Sequence, residues 1–300
     1  MIDTQASPTR AERLPPWTIV AMPSVFVVLW STGFIGAKFG VPYAGPATFL
    51  TLRFVIVAAI LAAVALITRA PWPRGAALAH VIVAGLLLQG VYLGGVFAAI
   101  SQGVEAGASA LIVGIQPLLT AALAGPFLGE RVTARQWLGL ALGLGGVALV
   151  VANKFGSGTG TPLGYGLAVL ALLGITIGTV YQKRYCAAID LRSGNAIQFA
   201  VCLPIFFGFA WAFETMQIAW TAPFVFALAW LCFVLSIGAI SLLYLLIRRG
   251  AAARVASLFY LVPPCTAVMA YFLFGETLDR AALFGMALVV IAVWLVNRER

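Results

Sequence analysis

The chain has 300 residues, of which 63% are hydrophobic and 9% charged, and its mean hydropathy is +1.06. Too little polar surface is available for a water-soluble globule, so lipid is the expected solvent. The net charge of +9 does not point to nucleic acid, because the basic residues sit singly or in pairs between apolar runs and form no continuous patch.

Backbone groups inside lipid must be paired within the segment, which restricts spanning elements to helices or closed barrels. Stretches such as Trp137 to Val151 and Leu283 to Val296 are apolar on every side, whereas a barrel strand alternates. An all-α membrane protein follows. The N-terminal residues are polar, and the first apolar run, from Trp17 to about Lys38, is too long for a signal-peptide core. It is read as a retained first span. Apolar stretches of about 20 residues, cut at Gly, Pro and charged punctuation, predict ten spans. They lie at about 17–38, 46–68, 75–101, 106–128 and 134–152, then 162–183, 193–213, 222–247, 252–274 and 280–297.

Residues 1–152 thus hold five spans and residues 162–300 another five, joined by a Gly/Ser/Thr-rich linker at 153–161. With the N-terminus in the cytoplasm, fourteen of the eighteen Lys and Arg residues fall on the cytoplasmic side. Lys38, Lys154 and Arg280 fall outside, and Arg53 lies within a span. That bias predicts two cytoplasmic termini.

The second half repeats the first. Ala110-Leu-Ile-Val-Gly-Ile-Gln-Pro117 followed by Gly129-Glu130 corresponds to Ala256-Ser-Leu-Phe-Tyr-Leu-Val-Pro263 followed by Gly275-Glu276, at one constant spacing. Because each half has an odd number of spans, the second must be inverted relative to the first. Pro117 and Pro263 each remove an amide donor in mid-span, opposite the carbonyls of Val113 and Phe259, and are read as paired hinges.

Several spans carry polar residues at helical spacing. These include Ser24, Ser31 and Lys38; Gln89 and Tyr92; Ser109, Gln116 and Thr120; and, in the second half, Thr176, Thr179 and Lys183 and Asn195, Gln198 and Cys202. The fifth and tenth spans lack such a stripe. Individually these side chains can simply bond helix to helix; together they predict that spans 1–4 and 6–9 surround a polar-lined cavity, with 5 and 10 outside. Trp30, Gln89, Tyr92, Gln116, Tyr244 and Tyr260 are the expected substrate-binding residues, aromatic faces stacking an apolar moiety while amides orient a polar head. Lys38, Arg53 and His80 are further candidates. Gly139 and Gly143, like Gly174 and Gly178, form G-x-x-x-G spacings that permit close helix contact.

The motifs Trp30-Ser-Thr-Gly33 with Lys38, Arg53-Phe54, Gln116-Pro117 with Gly129-Glu130-Arg131, and Pro263 with Gly275-Glu276 resemble those of the drug/metabolite transporter superfamily with two EamA-type repeats. The chain is similar to the bacterial amino-acid exporters of that group. The resemblance implies a ten-helix secondary transporter in the bacterial inner membrane, exporting amino acids or similar small metabolites by alternating access between two inverted halves. Export of drugs or other metabolites with proton coupling is the alternative, and an intramembrane enzyme a distant one, since one histidine and no mid-span carboxylate offer little for catalysis. No nucleotide-binding motif is present, and the four scattered cysteines define neither a metal site nor a disulfide framework. No cofactor or metal is implied. The expected partners are a small-molecule substrate and the bilayer, and a monomer is the expected state.

Overall fold

The computed structural model describes residues 16–128, 133–155, 160–239, 242, 259–277 and 279–297. Among them every regular element is a helix. In chain order they are α1 (Pro16–Gly40), α2 (Pro46–Ile67), α3 (Ala76–Ser101), α4 (Ala106–Val113), α5 (Gln116–Leu128) and α6 (Ala134–Phe155). There follow α7 (Pro162–Tyr185), α8 (Leu191–Phe213), α9 (Ala222–Ala239), α10 (Val262–Phe274) and α11 (Arg280–Asn297). Six helices are long and apolar enough to cross a membrane, and the rest of the described bundle includes shorter apolar ones.

Local chemistry sets the helix starts. Thr161 accepts from the Gly164 amide at 3.0 Å and Thr221 from that of Phe224 at 3.4 Å, each just before a proline in the first turn, where its missing donor costs nothing. Asp190 caps α8, accepting from Arg192 N at 2.9 Å and from its guanidinium at 3.0 and 2.7 Å. This bidentate pairing holds the Asp190 carboxyl down at about 2. Gly275, at φ +66, ends α10 in the left-handed conformation that glycine adopts without a Cβ penalty.

The core is phenylalanine-rich. Phe49 meets Phe97 and Phe224 at 5.2 and 5.4 Å between ring centroids, and Phe54 meets Phe199 and Phe206 at 5.3 and 5.4 Å. α2 is thereby locked to α3, α9 and α8. Facing outward are Phe213 and Phe272, 79% and 78% exposed. An apolar exterior on this scale suits lipid, not water.

Three packing relations organise the bundle. α6 lies along α11, α2 along α8, and α4 along α10, while α3 pairs with α7 and α1 with α9 and α10. A Cβ on Gly146 would meet the Gly285 carbonyl at 2.7 Å, so α6 and α11 touch backbone to backbone. Gly174 and Gly178 serve contact within the chain: a Cβ at either would strike Val91 or Leu88 of α3 at 2.8 and 2.7 Å.

Tertiary contacts sort the helix ends into two sets. At one end Glu214 joins Ala47 and Thr48, Tyr43 O accepts from Ala219 N at 2.9 Å, and Gln102 O accepts from Thr161 N at 3.1 Å. At the other, Ser193 donates to the Pro71 carbonyl at 2.6 Å and His80 meets Tyr181. Each of these pairs joins segments that the charge bias assigns to the same side.

Candidate functional site

A two-residue turn at Gly114–Ile115 separates α4 from α5. α4 ends at Val113 and α5 starts at Gln116. Across the junction Ile115 N bonds Ile112 O at 3.3 Å and Leu118 N bonds Ile115 O at 2.9 Å, three-residue steps set between the α-type bonds Gly114 N to Ala110 O at 2.8 Å and Leu119 N to Ile115 O at 3.2 Å. Pro117 therefore stands in the first turn of a new helix. Pro263 does the same in α10, after the tight turn Phe259–Leu261. The two turns abut, since a Cβ on Gly114 would lie 2.4 Å from Cγ of Pro263.

α3 and α9 also depart from ideal geometry, each carrying a π-helical stretch, Leu86–Leu93 and Trp230–Ala239. Such stretches widen the helix and recur at functional sites. Gln89 and Tyr92 stand on the first, partly buried. Ser236 stands on the second, and its hydroxyl donates to Leu231 O at 2.9 Å, five residues back.

Arg53 projects from α2 between them. It is 3% exposed, and its Nη2 donates to Ser236 Oγ at 3.2 Å. Because the Ser236 hydrogen is committed to Leu231, a lone pair is left for the guanidinium. Arg53 Nε is buried without a partner, and the Cys232 thiol lies 4.0 Å from the Arg53 carbonyl oxygen. The described acids, Glu105, Asp190, Glu214, Glu276 and Asp279, all stand at helix ends. An arginine at the centre of a spanning helix costs about 2.5–3.5 kcal/mol on insertion scales and typically marks function.

Gln116, opening α5, donates through Nε2 to Thr120 Oγ1 at 2.9 Å and to Thr179 Oγ1 of α7 at 3.4 Å. Trp30 meets Phe259 edge-on at 5.0 Å and also packs on Phe26, while the neighbouring Thr32 accepts from Trp230 Nε1 at 2.8 Å. Tyr260 belongs to the tight turn before α10, and Tyr244 lies outside the described residues. The expected residues thus gather in three places: Arg53 with Tyr92, Gln116 with its threonines, and Trp30 with Phe259.

Others serve as joints. His80 Nδ1 lies 2.8 Å from Tyr181 Oη, and its ring stacks on Tyr185 at 4.5 Å, tying α3 to α7 at one end. Gln198 donates to Gln182 Oε1 at 2.8 Å, which is helix-to-helix bonding. Lys38 pairs with Glu276 and lies 5.0 Å over the Phe274 ring. The same Glu276 carboxylate accepts from Ala106 N at 2.8 Å and Gly107 N at 3.1 Å, the first amides of α4. One buried acid therefore clamps the ends of α1, α4 and α10 together. In the sequence Glu276 stood out only as part of the repeated Gly-Glu pair; opposite charges on one side, Lys38 and Glu276, were the further signal.

An apolar helical bundle with broken helices, π-helical stretches and a buried arginine defines a polytopic membrane protein built for transport. The chain belongs to the EamA-like transporter family, which matches residues 12–152 and again 162–298. It is 28% identical over 297 residues to a Bacillus subtilis (strain 168) protein named uncharacterized transporter YvbV, covering 96% of this chain and 94% of that one. It is also 28% identical over 292 residues to the probable terminal-alkyne amino-acid exporter of Streptantibioticus cattleyicolor, covering 94% and 93%. A solved crystal structure shares the fold at a TM-score of 0.63 and 19% identity, over 93% of this chain and 96% of the other.

Proposed function

We propose that the protein is a secondary transporter exporting amino acids or similar small zwitterionic metabolites across the bacterial inner membrane. Ten spans form two inverted five-helix repeats, 1–152 and 162–300, with both termini cytoplasmic. The interrupted α4–α5 serves as the fourth span and α10, counted with the residues preceding it, as the ninth. Support for the repeat comes from packing: exchanging each span for its counterpart in the other half leaves the main pairings unchanged. α2 with α8, α4 with α10 and α6 with α11 map onto themselves, and α3 with α7 maps onto α9 with α1. Inverted repeats place substrate between the halves, near the midplane and at discontinuous helices.

The observation that carries the transport reading is the polar set inside an otherwise apolar bundle: Gln116 with Thr120 and Thr179, and Arg53 with Ser236. Trp30, Gln89, Tyr92, Gln116, Tyr244 and Tyr260 line the pathway. Alternating access arises as the halves rock about the Pro117 and Pro263 breaks. Amino acids are favoured over lipophilic cations because no acid lies within a described helix to attract a positive drug; the similarity to a named amino-acid exporter points the same way.

The test is flux from liposomes containing purified protein, loaded with labelled amino acids or with aromatic amines. Saturable efflux of at least one amino acid, absent from protein-free liposomes, is expected. Efflux of the amines alone would refute the amino-acid reading.

A further inference from the structure

Within the transport reading, which this inference presupposes and sharpens, we infer that Arg53 is the anchor for the substrate's carboxylate. A guanidinium presents five donors in a planar fork that matches a carboxylate bidentately. In the described structure only Nη2 has a partner, the neutral Ser236 hydroxyl, and Nε has none. Buried cations are ordinarily satisfied by an acid, and leaving one unsatisfied is costly. The described acids all stand at helix ends, and each of two is occupied elsewhere: Glu214 on the Ala47 and Thr48 amides, Glu276 on Lys38 and the α4 amides. Among the described residues no acid reaches the guanidinium, and the substrate's carboxylate is the anion that completes it.

A second, independent feature marks the same place. The guanidinium bonds Ser236 on the π-helical stretch of α9, and Tyr92, on that of α3, is near enough to interact with it electrostatically. These stretches belong to the third and eighth spans, which correspond in the two halves. A helix can revert from π to α spacing by moving one residue, so the wall around Arg53 is built to change shape. Ser236 holds the head while the site is empty, and the incoming carboxylate takes Nε and an Nη in its place. Tyr92 Oη supplies a further donor. The ligand class is a monocarboxylate whose other end is small or aromatic, as in a zwitterionic amino acid.

The test uses the full-length protein in detergent and in liposomes, with phenylalanine, phenylalaninamide and phenethylamine as probes. Wild-type protein is expected to be stabilised against thermal unfolding by the acid, and not by the amide or amine. Arg53→Met replaces the unpaired buried charge with an apolar chain of similar volume, so the empty variant should melt at or above the wild-type temperature while losing the acid-induced shift. Arg53→Lys keeps the charge without the fork and should retain binding about tenfold weaker. If Arg53→Met melts far below wild type, Arg53 is a structural residue and the inference falls. It falls equally if either folded variant binds phenylalanine as wild type does, or if wild type binds the amine and amide as well as the acid. Loss of amino-acid flux with Arg53-dependent acid binding intact would instead refute the export reading alone.

Discussion

Replacing Glu276 by glutamine should unlock one end of the bundle. In the structure its carboxylate, 7% exposed, holds Lys38 Nζ and Ala106 N on one oxygen and Gly107 N on the other. Glutamine keeps one carbonyl oxygen, which can serve Ala106. Its amide group then opposes the Gly107 N–H, and the ion pair is lost. Hydrogen bonds to charged groups contribute about 1.5–3 kcal/mol each, and a charge at a partly buried helix N-terminus up to about 2. Allowing for overlap, the clamp weakens by about 3 kcal/mol, which raises the population open at this end about a hundredfold. Lys38→Met removes the ion pair alone and should give about tenfold. The reporter is Ser31→Cys, in a background whose four native cysteines are replaced. Ser31 is fully buried, two turns or about 10 Å below Lys38 on α1. A membrane-impermeant thiol reagent added from the Lys38 side should label it faster in the order Glu276→Gln, Lys38→Met, unmodified. A folded Glu276→Gln protein labelled at the unmodified rate, or a larger effect from Lys38→Met, would refute the clamp.

Topology is tested with single cysteines at exposed positions. Gln217→Cys should react from outside intact spheroplasts and Ala188→Cys only after permeabilisation, and the reverse pattern would invert the orientation. Asp190→Ala should cost about 1 kcal/mol of stability through the lost cap. Because the folded carboxyl is held at about 2, below its ordinary value, that contribution is present above about pH 4 and is lost as pH falls through about 2. Thermal unfolding at pH 7 and pH 5 should therefore show the same penalty. Pro117→Ala should change stability by less than about 1 kcal/mol, because a first-turn proline breaks no internal bond, but should slow liposome flux severalfold. Gln116→Ala should weaken substrate binding about tenfold, the loss expected for a polar anchor worth about 1.4 kcal/mol, and unchanged binding would remove it from the pathway.

Span positions were legible in the sequence because hydropathy accumulates over twenty residues: α2 was expected at 46–68 and lies at Pro46–Ile67, α7 at 162–183 and lies at Pro162–Tyr185. α6 and α11, the segments without a polar stripe, pair along each other. The π-helical stretches were not legible, since a shift from four- to five-residue bonding leaves no compositional mark. Nor was the clamp. Glu276 meets amides 170 and 169 positions away, a distance that no local pattern spans. Arg53 was visible as a charge in a span; its lack of a carboxylate partner required the packing of α2 against α3 and α9. Gln198, a polar residue at stripe spacing, bonds its neighbour helix.

Substrate counterflow in liposomes with equal pH on both faces tests the central claim most directly. Alternating access driven by the solute, with no acid within a described helix to carry a proton, predicts that external labelled amino acid accumulates transiently in liposomes preloaded with the unlabelled compound, and that an imposed pH gradient alone concentrates nothing. Counterflow that appears only after the gradient is applied, or uphill accumulation of a zwitterion driven by the gradient by itself, would contradict the account and make His80 the first residue to test.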